Sequence, residues 1–431
     1  MIERLQKFSQ WVLIGAIGLH GASSLSVSAP TEIITPETIR ELVEKSFDVQ
    51  AAKAKVTEDR SRVVRAFDSY VPDLSFNASS YGFYESYRAN RNPVYLNASM
   101  TLFDKGKDIF GIQKARSELR ISEHTLDGDR KDALIRAFDL YFRMTEAKEN
   151  ARVLSDLKRE LNIVLDRARS LVAARALAKR QLSRLELESS LLDNRLESAI
   201  ADASGLRSRL SAELQLDPDS SWDVAPTANY SIPRQYLKPA PEDIRRASAS
   251  WNRSLALAER SYNLDGPTRW LAYSDQLPKV DFKASVGRPD FNTVKSEFSI
   301  RANLEIPIPA FHMPTMFKPI NTIISQELRQ NETRRAQVLA ELKANIESRT
   351  ARLNAAIVQL QKLEKPLQSA RSDRDLERQE VLTAGGQAVG YVTYLSQIRE
   401  LEIARNAAIR AKDTEYRALR ILRGDDPLRE R

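Results

Sequence analysis

Two stretches of the chain alternate apolar and polar residues with a period of two. In the first, Leu74, Phe76 and Ala78 alternate with Ser75, Asn77 and Ser79. Val94, Leu96, Ala98, Met100 and Leu102 then alternate with Tyr95, Asn97, Ser99 and Thr101. A polar connection rich in Arg, Asn and Pro separates the two runs, which is the pattern of a β-hairpin. Runs of about ten residues with one apolar side suit either a half-buried sheet or tilted transmembrane strands. The second stretch, Pro278–Ile308, repeats the plan. Pro72, Phe76, Ala78 and Ser79 recur as Pro278, Phe282, Ala284 and Ser285; Leu96, Ala98, Met100 and Leu102 recur as Ile300, Ala302, Leu304 and Ile306. The preceding segments match too, Pro36, Ile39 and Arg40 against Pro241, Ile244 and Arg245. The chain reads as an internal duplication in which each half runs helix, hairpin, long helical pair.

Between the hairpins the period changes to that of helices. Pro36–Tyr70 is helical, opened by Thr35-Pro36-Glu37 as cap, proline and first-turn acid. From Asp104 to about Val172 no proline intervenes, and Leu154, Leu157, Leu161, Val164, Ala168 and Leu171 recur at intervals of three and four, a coiled-coil seam. At 1.5 Å per residue that helix is ~100 Å long, beyond the size of a globular domain. The chain returns through Leu182, Leu185, Leu192, Leu196 and Leu210 to a proline-rich linker over Asp217–Lys238. The second half repeats the order. Its first helix covers Pro241–Tyr273, and Pro307, Pro309, Pro314 and Pro319 make an irregular exit from its hairpin. A long helix follows from about Ile320 to Leu382, kinked at Pro366, then a turn over Thr383–Gly390 and a last helix over Tyr391–Arg423. The expected organisation is a signal over 1–29, a first repeat over 30–216, a linker over 217–240, a second repeat over 241–424 and a polar tail over 425–431.

The signal rests on Arg4 and Lys7, an apolar core Trp11–Leu19 and the small residues Val27-Ser28-Ala29. No later stretch approaches the ~20 apolar residues of a spanning helix, so entry into a membrane would have to be by strands. The formal net charge of +8 could suit nucleic acid, but the signal and the interspersed acids argue against that partner. His124 and His312 are too isolated for a metal site, and neither a nucleophile–base set nor a phosphate-binding glycine loop is present. The sequence therefore points to no enzyme and no cofactor. Four strands cannot close a barrel, and lipid does not tolerate an open sheet edge. Two copies would give eight strands with a filled interior; three would give twelve, wide enough for a channel.

Several motifs carry a family resemblance over about residues 33–424. Ser69-Tyr70-Val71-Pro72 precedes the first strand, and Thr101-Leu102-Phe103-Asp104-Lys105-Gly106 follows the second. Thr383-Ala384-Gly385-Gly386 leads into Tyr394-Leu395-Ser396-Gln397-Ile398-Arg399-Glu400-Leu401. With the duplication, these resemble the TolC-like outer-membrane efflux proteins. The resemblance implies a mainly α fold with a small β part: long antiparallel coiled-coil helices forming an α-helical barrel, and four strands per protomer in a shared 12-stranded transmembrane β-barrel. It also implies a homotrimer in outer-membrane lipid, docked to a periplasmic adaptor and an inner-membrane pump. Three departures stand out. Ala176 takes the place of Gly386 in the first tip, Ile306-Pro307-Ile308-Pro309-Ala310-Phe311 lacks an aspartate-glycine turn, and Thr393 and Ser396 stand where relatives often carry a ring of aspartates.

Two groups of residues follow as site candidates. Leu74, Phe76, Val94, Leu96, Val280, Phe282, Ile300 and Leu304 are expected to face lipid, against Ser75, Asn77, Asn97, Asp281, Lys283, Arg301 and Glu305 on the water side. At the periplasmic tip, Gly385 and Gly386 form a turn, Thr393 and Ser396 border the aperture, and Arg175, Lys179, Arg180 and Arg184 form a basic mouth. If the mouth lines the pore it enriches anions; if its side chains point outward they pair with the adaptor or with neighbouring helices. The competing function is a periplasmic coiled-coil structural protein whose hairpins form a soluble cap.

Overall fold

The computed structural model describes residues 32–68, 73–78, 94–104, 106–217, 220–226, 232–237, 266, 271, 278–288, 297–305, 313–384 and 388–423. In chain order the first elements are β1 (Glu32–Ile34), α1 (Pro36–Val43), α2 (Phe47–Ala66), β2 (Asp73–Ala78) and β3 (Val94–Asp104). Then come α3 (Lys107–Ala173), α4 (Lys179–Leu214), β4 (Trp222–Val224) and α5 (Arg234–Leu237). The last are β5 (Lys279–Arg288), β6 (Glu297–Glu305), α6 (Met313–Ala384) and α7 (Ala388–Arg423).

Thr35 caps α1 as its sequence indicates. The Thr38 amide donates to the Thr35 hydroxyl, the Thr35 amide donates to the Thr38 hydroxyl at 2.9 Å, and Pro36 takes the first turn. The single helix expected over Pro36–Tyr70 is in fact two. The amides of Lys45 and Ser46 close on the carbonyls of Leu42 and Val43, and Ser46 is extended at the start of α2. The break has a packing cause. Ile39 and Val43 share one helical stripe, but Val49 would fall off it in an unbroken helix. The turn returns Val49 to the same core, where all three are buried.

α3, of 67 residues, runs for ~100 Å. α4 folds back along it and α7 folds back along α6; α3 also packs on α7, so the helices lie in the order α4, α3, α7, α6. β3 leads directly into α3, which places the sheet at one end of this ribbon and the α3–α4 turn at the other. α6 begins at Met313, so the irregular exit is shorter than expected. Pro314 sits in the first turn, where a missing amide costs nothing, while Pro319 lies within the helix. α6 also continues through Pro366. The helix expected over Pro241–Tyr273 lies outside the described residues, apart from Gly266 and Leu271, which are helical.

Part of the expected linker is structured. β4 pairs in parallel with β1, Glu32 opposite Trp222 and Ile34 opposite Val224. Trp222, Val224 and Ile34 are buried with Phe138, Tyr141 and Leu210. The Tyr141 hydroxyl donates to the Ala225 carbonyl at 3.1 Å, and Lys148 pairs with Asp223 at 2.5 Å. The two strands are too short for an alternation to show, which is why the sequence did not reveal them.

Candidate functional site

Two ends of the molecule carry the features that bear on function. At the first, β2, β3, β5 and β6 form one antiparallel sheet in that order, so the two hairpins join through β3 and β5. The register sorts the residues by face. Leu74 pairs with Ala98, Phe76 with Leu96 and Ala78 with Val94. Leu96 pairs in turn with Val286, Ala98 with Ala284 and Met100 with Phe282. Val280 pairs with Leu304, Phe282 with Ala302 and Ala284 with Ile300. All eight residues expected to face lipid thus take register positions on one face. The opposite face carries Ser75, Asn97, Asp281, Lys283, Arg301 and Glu305, with Lys283 opposite Arg301 and Lys279 opposite Glu305. On that face Thr101 donates to Asp281 at 3.0 Å, and the hydroxyls of Ser285 and Ser299 lie 2.7 Å apart.

One strand residue departs from its expected place. The β3–β5 register shifts between Thr101 and Phe103, so Leu102 is the extra residue of a bulge and Phe103 stands opposite Val280. The apolar face of the sheet is uncovered. Phe76 is 68% exposed, Phe298 66%, Leu304 63% and Ile300 55%. β2 and β6 are the outer strands, each with one edge unpaired among the described residues.

At the other end, α3 closes with a Schellman turn. The Ala176 amide donates to the Leu171 carbonyl at 2.8 Å and the Arg175 amide to the Val172 carbonyl at 3.0 Å. The left-handed position belongs to Arg175, at φ 59°, a place that glycine usually fills. The departure from a glycine turn is therefore carried by Arg175 rather than by Ala176. Gly385 and Gly386, at the other turn, lie outside the described residues. Arg175, Lys179, Arg180 and Arg184 are all exposed, and no ion pair joins any of them to another described residue. The Thr393 hydroxyl donates to the Val389 carbonyl and the Ser396 hydroxyl to the Thr393 carbonyl, both at 2.9 Å. Both hydroxyls are thus used within α7.

Behind the tip, four helices share one core, with Leu161 and Val164 from α3, Leu185 and Leu192 from α4, Leu367 and Val381 from α6, and Tyr391 and Leu395 from α7. Tyr391 is fully buried, and burial pushes its hydroxyl up to about 12. Ion pairs tie the same helices together. Arg399 of α7 pairs with Glu188 of α4, both almost wholly buried, Arg371 pairs with Glu402, and Arg374 pairs with Glu160 at 2.8 Å. Glu188 and Arg399 lie far apart in sequence, on helices whose faces are charged elsewhere, and no sequence signal marked them as partners. A Cβ at Gly390 would displace the Glu377 carboxylate that lies against it.

Among the described residues no group of His, Cys, Asp and Glu could hold a metal ion. No helix among them is long and apolar enough to cross a membrane. No protein-family model matches the sequence, and no curated protein matches it. Solved structures do match. The Campylobacter jejuni CmeC outer membrane channel is similar at 13% identity, with 97% of this chain and 96% of that one covered and a TM-score of 0.70. The chain has the fold of outer-membrane channels. Vibrio cholerae outer membrane protein VceC gives 13% identity, 90% and 96% coverage and a TM-score of 0.66. The Neisseria gonorrhoeae MtrE outer membrane channel in its open state gives 14%, 90% and 89%, and 0.60.

Proposed function

We propose that three copies of this chain form an outer-membrane channel-tunnel, the exit duct of a tripartite efflux pump or type I secretion system. The observation that carries the reading is the sheet: four strands, one face apolar and uncovered, both edges free, standing at one end of helices ~100 Å long. An apolar face of that extent is unstable in water unless covered, and open edges are excluded from lipid. Ring closure with further copies removes both problems at once. Three four-stranded sheets give twelve strands, the smallest closed count here that leaves a pore. The helical ribbons then continue the barrel into the periplasm, where the tip meets an adaptor and, through it, an inner-membrane pump. The duct performs no chemistry and needs no cofactor or metal.

Expression with the native signal should yield heat-resistant, SDS-stable trimers in the outer-membrane fraction. A soluble periplasmic monomer would contradict the reading and favour a coiled-coil structural protein with a soluble cap. The basic mouth is part of the same proposal. Arg175, Lys179, Arg180 and Arg184 lie at the tip without a carboxylate partner among the described residues, so a low-dielectric aperture there enriches anions. Reversal potentials in asymmetric KCl should show anion preference, reduced by Arg180→Gln with Arg184→Gln. A cation-selective channel unchanged by that pair would refute the basic mouth while leaving the duct intact.

A further inference from the structure

α4 and α6 stand at the two edges of the helical ribbon, and each carries a second stripe on the side away from its partners. On α4 the stripe runs through Leu187, Leu191, Ser198, Ala201, Gly205 and Ala212, all exposed. On α6 it runs through Leu376, Ser372, Lys365, Lys362, Val358 and Ala351, also exposed. With the exposed Asn194 and Ser208 of α4, and Ser369 and Ala355 of α6, between them, both advance by alternating steps of three and four, the repeat of a helix–helix seam. The helices run in opposite directions from their tip turns, and the stripes keep step. Leu187 is level with Leu376, Leu191 with Ser372, Gly205 with Val358 and Ala212 with Ala351. Leu187 and Leu376, level at the end of the stripes nearer the tip, are 62% and 61% exposed.

Two further observations say what covers these stripes. Gly205 sits inside α4, where alanine is the better helix former, yet a Cβ there would meet nothing within 4 Å. Among the described residues nothing fills that space. The α6 stripe is uncharged over this span except for Lys362 and Lys365, and the residues of α4 at those levels are Asp202 and Glu197. None of these four charged groups is in an ion pair with another described residue. The sheet runs in the same sense. β6, the edge strand that leads to α6, and β2, the opposite edge, are the strands that a ring must join.

We propose that α6 of each copy packs antiparallel on α4 of the next, with Lys362 and Lys365 paired to Asp202 and Glu197 of the neighbouring copy and Val358 seated over Gly205. The inference rests on the trimer reading and assigns its contact surface. A heterologous seam of this kind, repeated around a ring, closes without leaving an edge. It also favours one vertical register of one protomer against the next, because only that register pairs both lysines with acids; a slip by one turn keeps one such pair at most.

The chain contains no cysteine, so engineered pairs report cleanly. Oxidised Ser208→Cys with Ala355→Cys, which are level on the two stripes, should convert the protein to covalent trimer. Ser208→Cys with Ser372→Cys, several turns out of step, should remain non-covalent. In a second arm, Lys362→Glu with Lys365→Glu should lose the trimer band on mild SDS gels, and Glu197→Lys with Asp202→Lys in the same chain should restore it. Trimers that persist by native mass but fail to link through the level pair, or that link equally through both, overturn the seam and leave the duct standing. Failure of the second charge pair to restore the band also overturns it. A wild-type chain that is monomeric in gentle membrane extracts removes the duct reading together with the seam.

Discussion

The sheet end and the tip end of this molecule solve opposite problems. At the tip, leucines from four helices meet within one chain, and Leu161, Leu185 and Leu192 are fully buried. At the sheet, residues of the same hydrophobicity are left in the open, with Phe76, Ile300 and Leu304 more than half exposed. Burial of apolar area stabilises by roughly 25 cal/mol per Å². The tip gains that energy when one chain folds; the sheet gains it only when something else covers its face. The difference separates a core that closes within one chain from a sheet whose apolar face is left open by that chain.

The largest effect should come from breaking the tip's internal wiring. Glu188→Leu leaves the Arg399 guanidinium buried without its carboxylate, a loss of about 3–5 kcal/mol. Thermal unfolding of the helices should shift to lower temperature accordingly, with the sheet unaffected. If the melting point is unchanged, the tip is not the self-sufficient unit described. A charge on the apolar face tests the other end. Ile300→Arg should cost about 2–4 kcal/mol near mid-membrane and deplete protein from the outer membrane. The same substitution at Lys283, on the opposite face, should leave membrane yield at the wild-type level.

Smaller changes sharpen the comparison. Arg175 holds a left-handed conformation that costs a non-glycine residue about 1–2 kcal/mol. Arg175→Gly should therefore raise tip stability by up to about 1 kcal/mol, seen as slower amide exchange at the ends of α3 and α4. Slower exchange in the sheet instead would contradict a local effect. The smallest effect concerns Glu44 at the α1–α2 turn. Burial would raise its pKa, but the Lys53 ammonium at 2.8 Å and the Arg130 guanidinium, whose Nη2 donates at 3.1 Å, outweigh this and hold the carboxyl below its ordinary value. A carboxyl with a lowered folded pKa contributes stability above its unfolded pKa and loses it as the pH falls through the folded value. Glu44→Gln should thus melt lower than wild type at neutral pH, and the gap should close in acid.

The same contrast explains what the sequence made legible. The alternation of Leu74, Phe76 and Ala78 and of Ile300, Ala302 and Leu304 set both hairpins and the faces of their strands, because a one-residue slip would have mixed the two sides. The seam of Leu154, Leu157, Leu161 and Val164 marked α3, and Thr35 marked the start of α1. What stayed hidden depends on contacts between distant segments. The α1–α2 break answers the core around Val49, the Leu102 bulge answers pairing with β5, and β4 exists only because β1 lies beside it. At the tip, the sequence singled out Arg175, Lys179, Arg180 and Arg184 but not the Arg399–Glu188 pair, since charges on helix faces look alike until the helices pack.

The central claim is that the uncovered face of the sheet is made for lipid. Spin labels at Phe76, Leu96 and Ile300, and at Asn97, Lys283 and Arg301, test it directly in reconstituted membranes, because no native cysteine competes for the label. The account predicts that the first set is relaxed by lipid-soluble oxygen and shielded from a water-soluble nickel chelate, and that the second set shows the reverse. Equal accessibility of the two sets to both quenchers would contradict it.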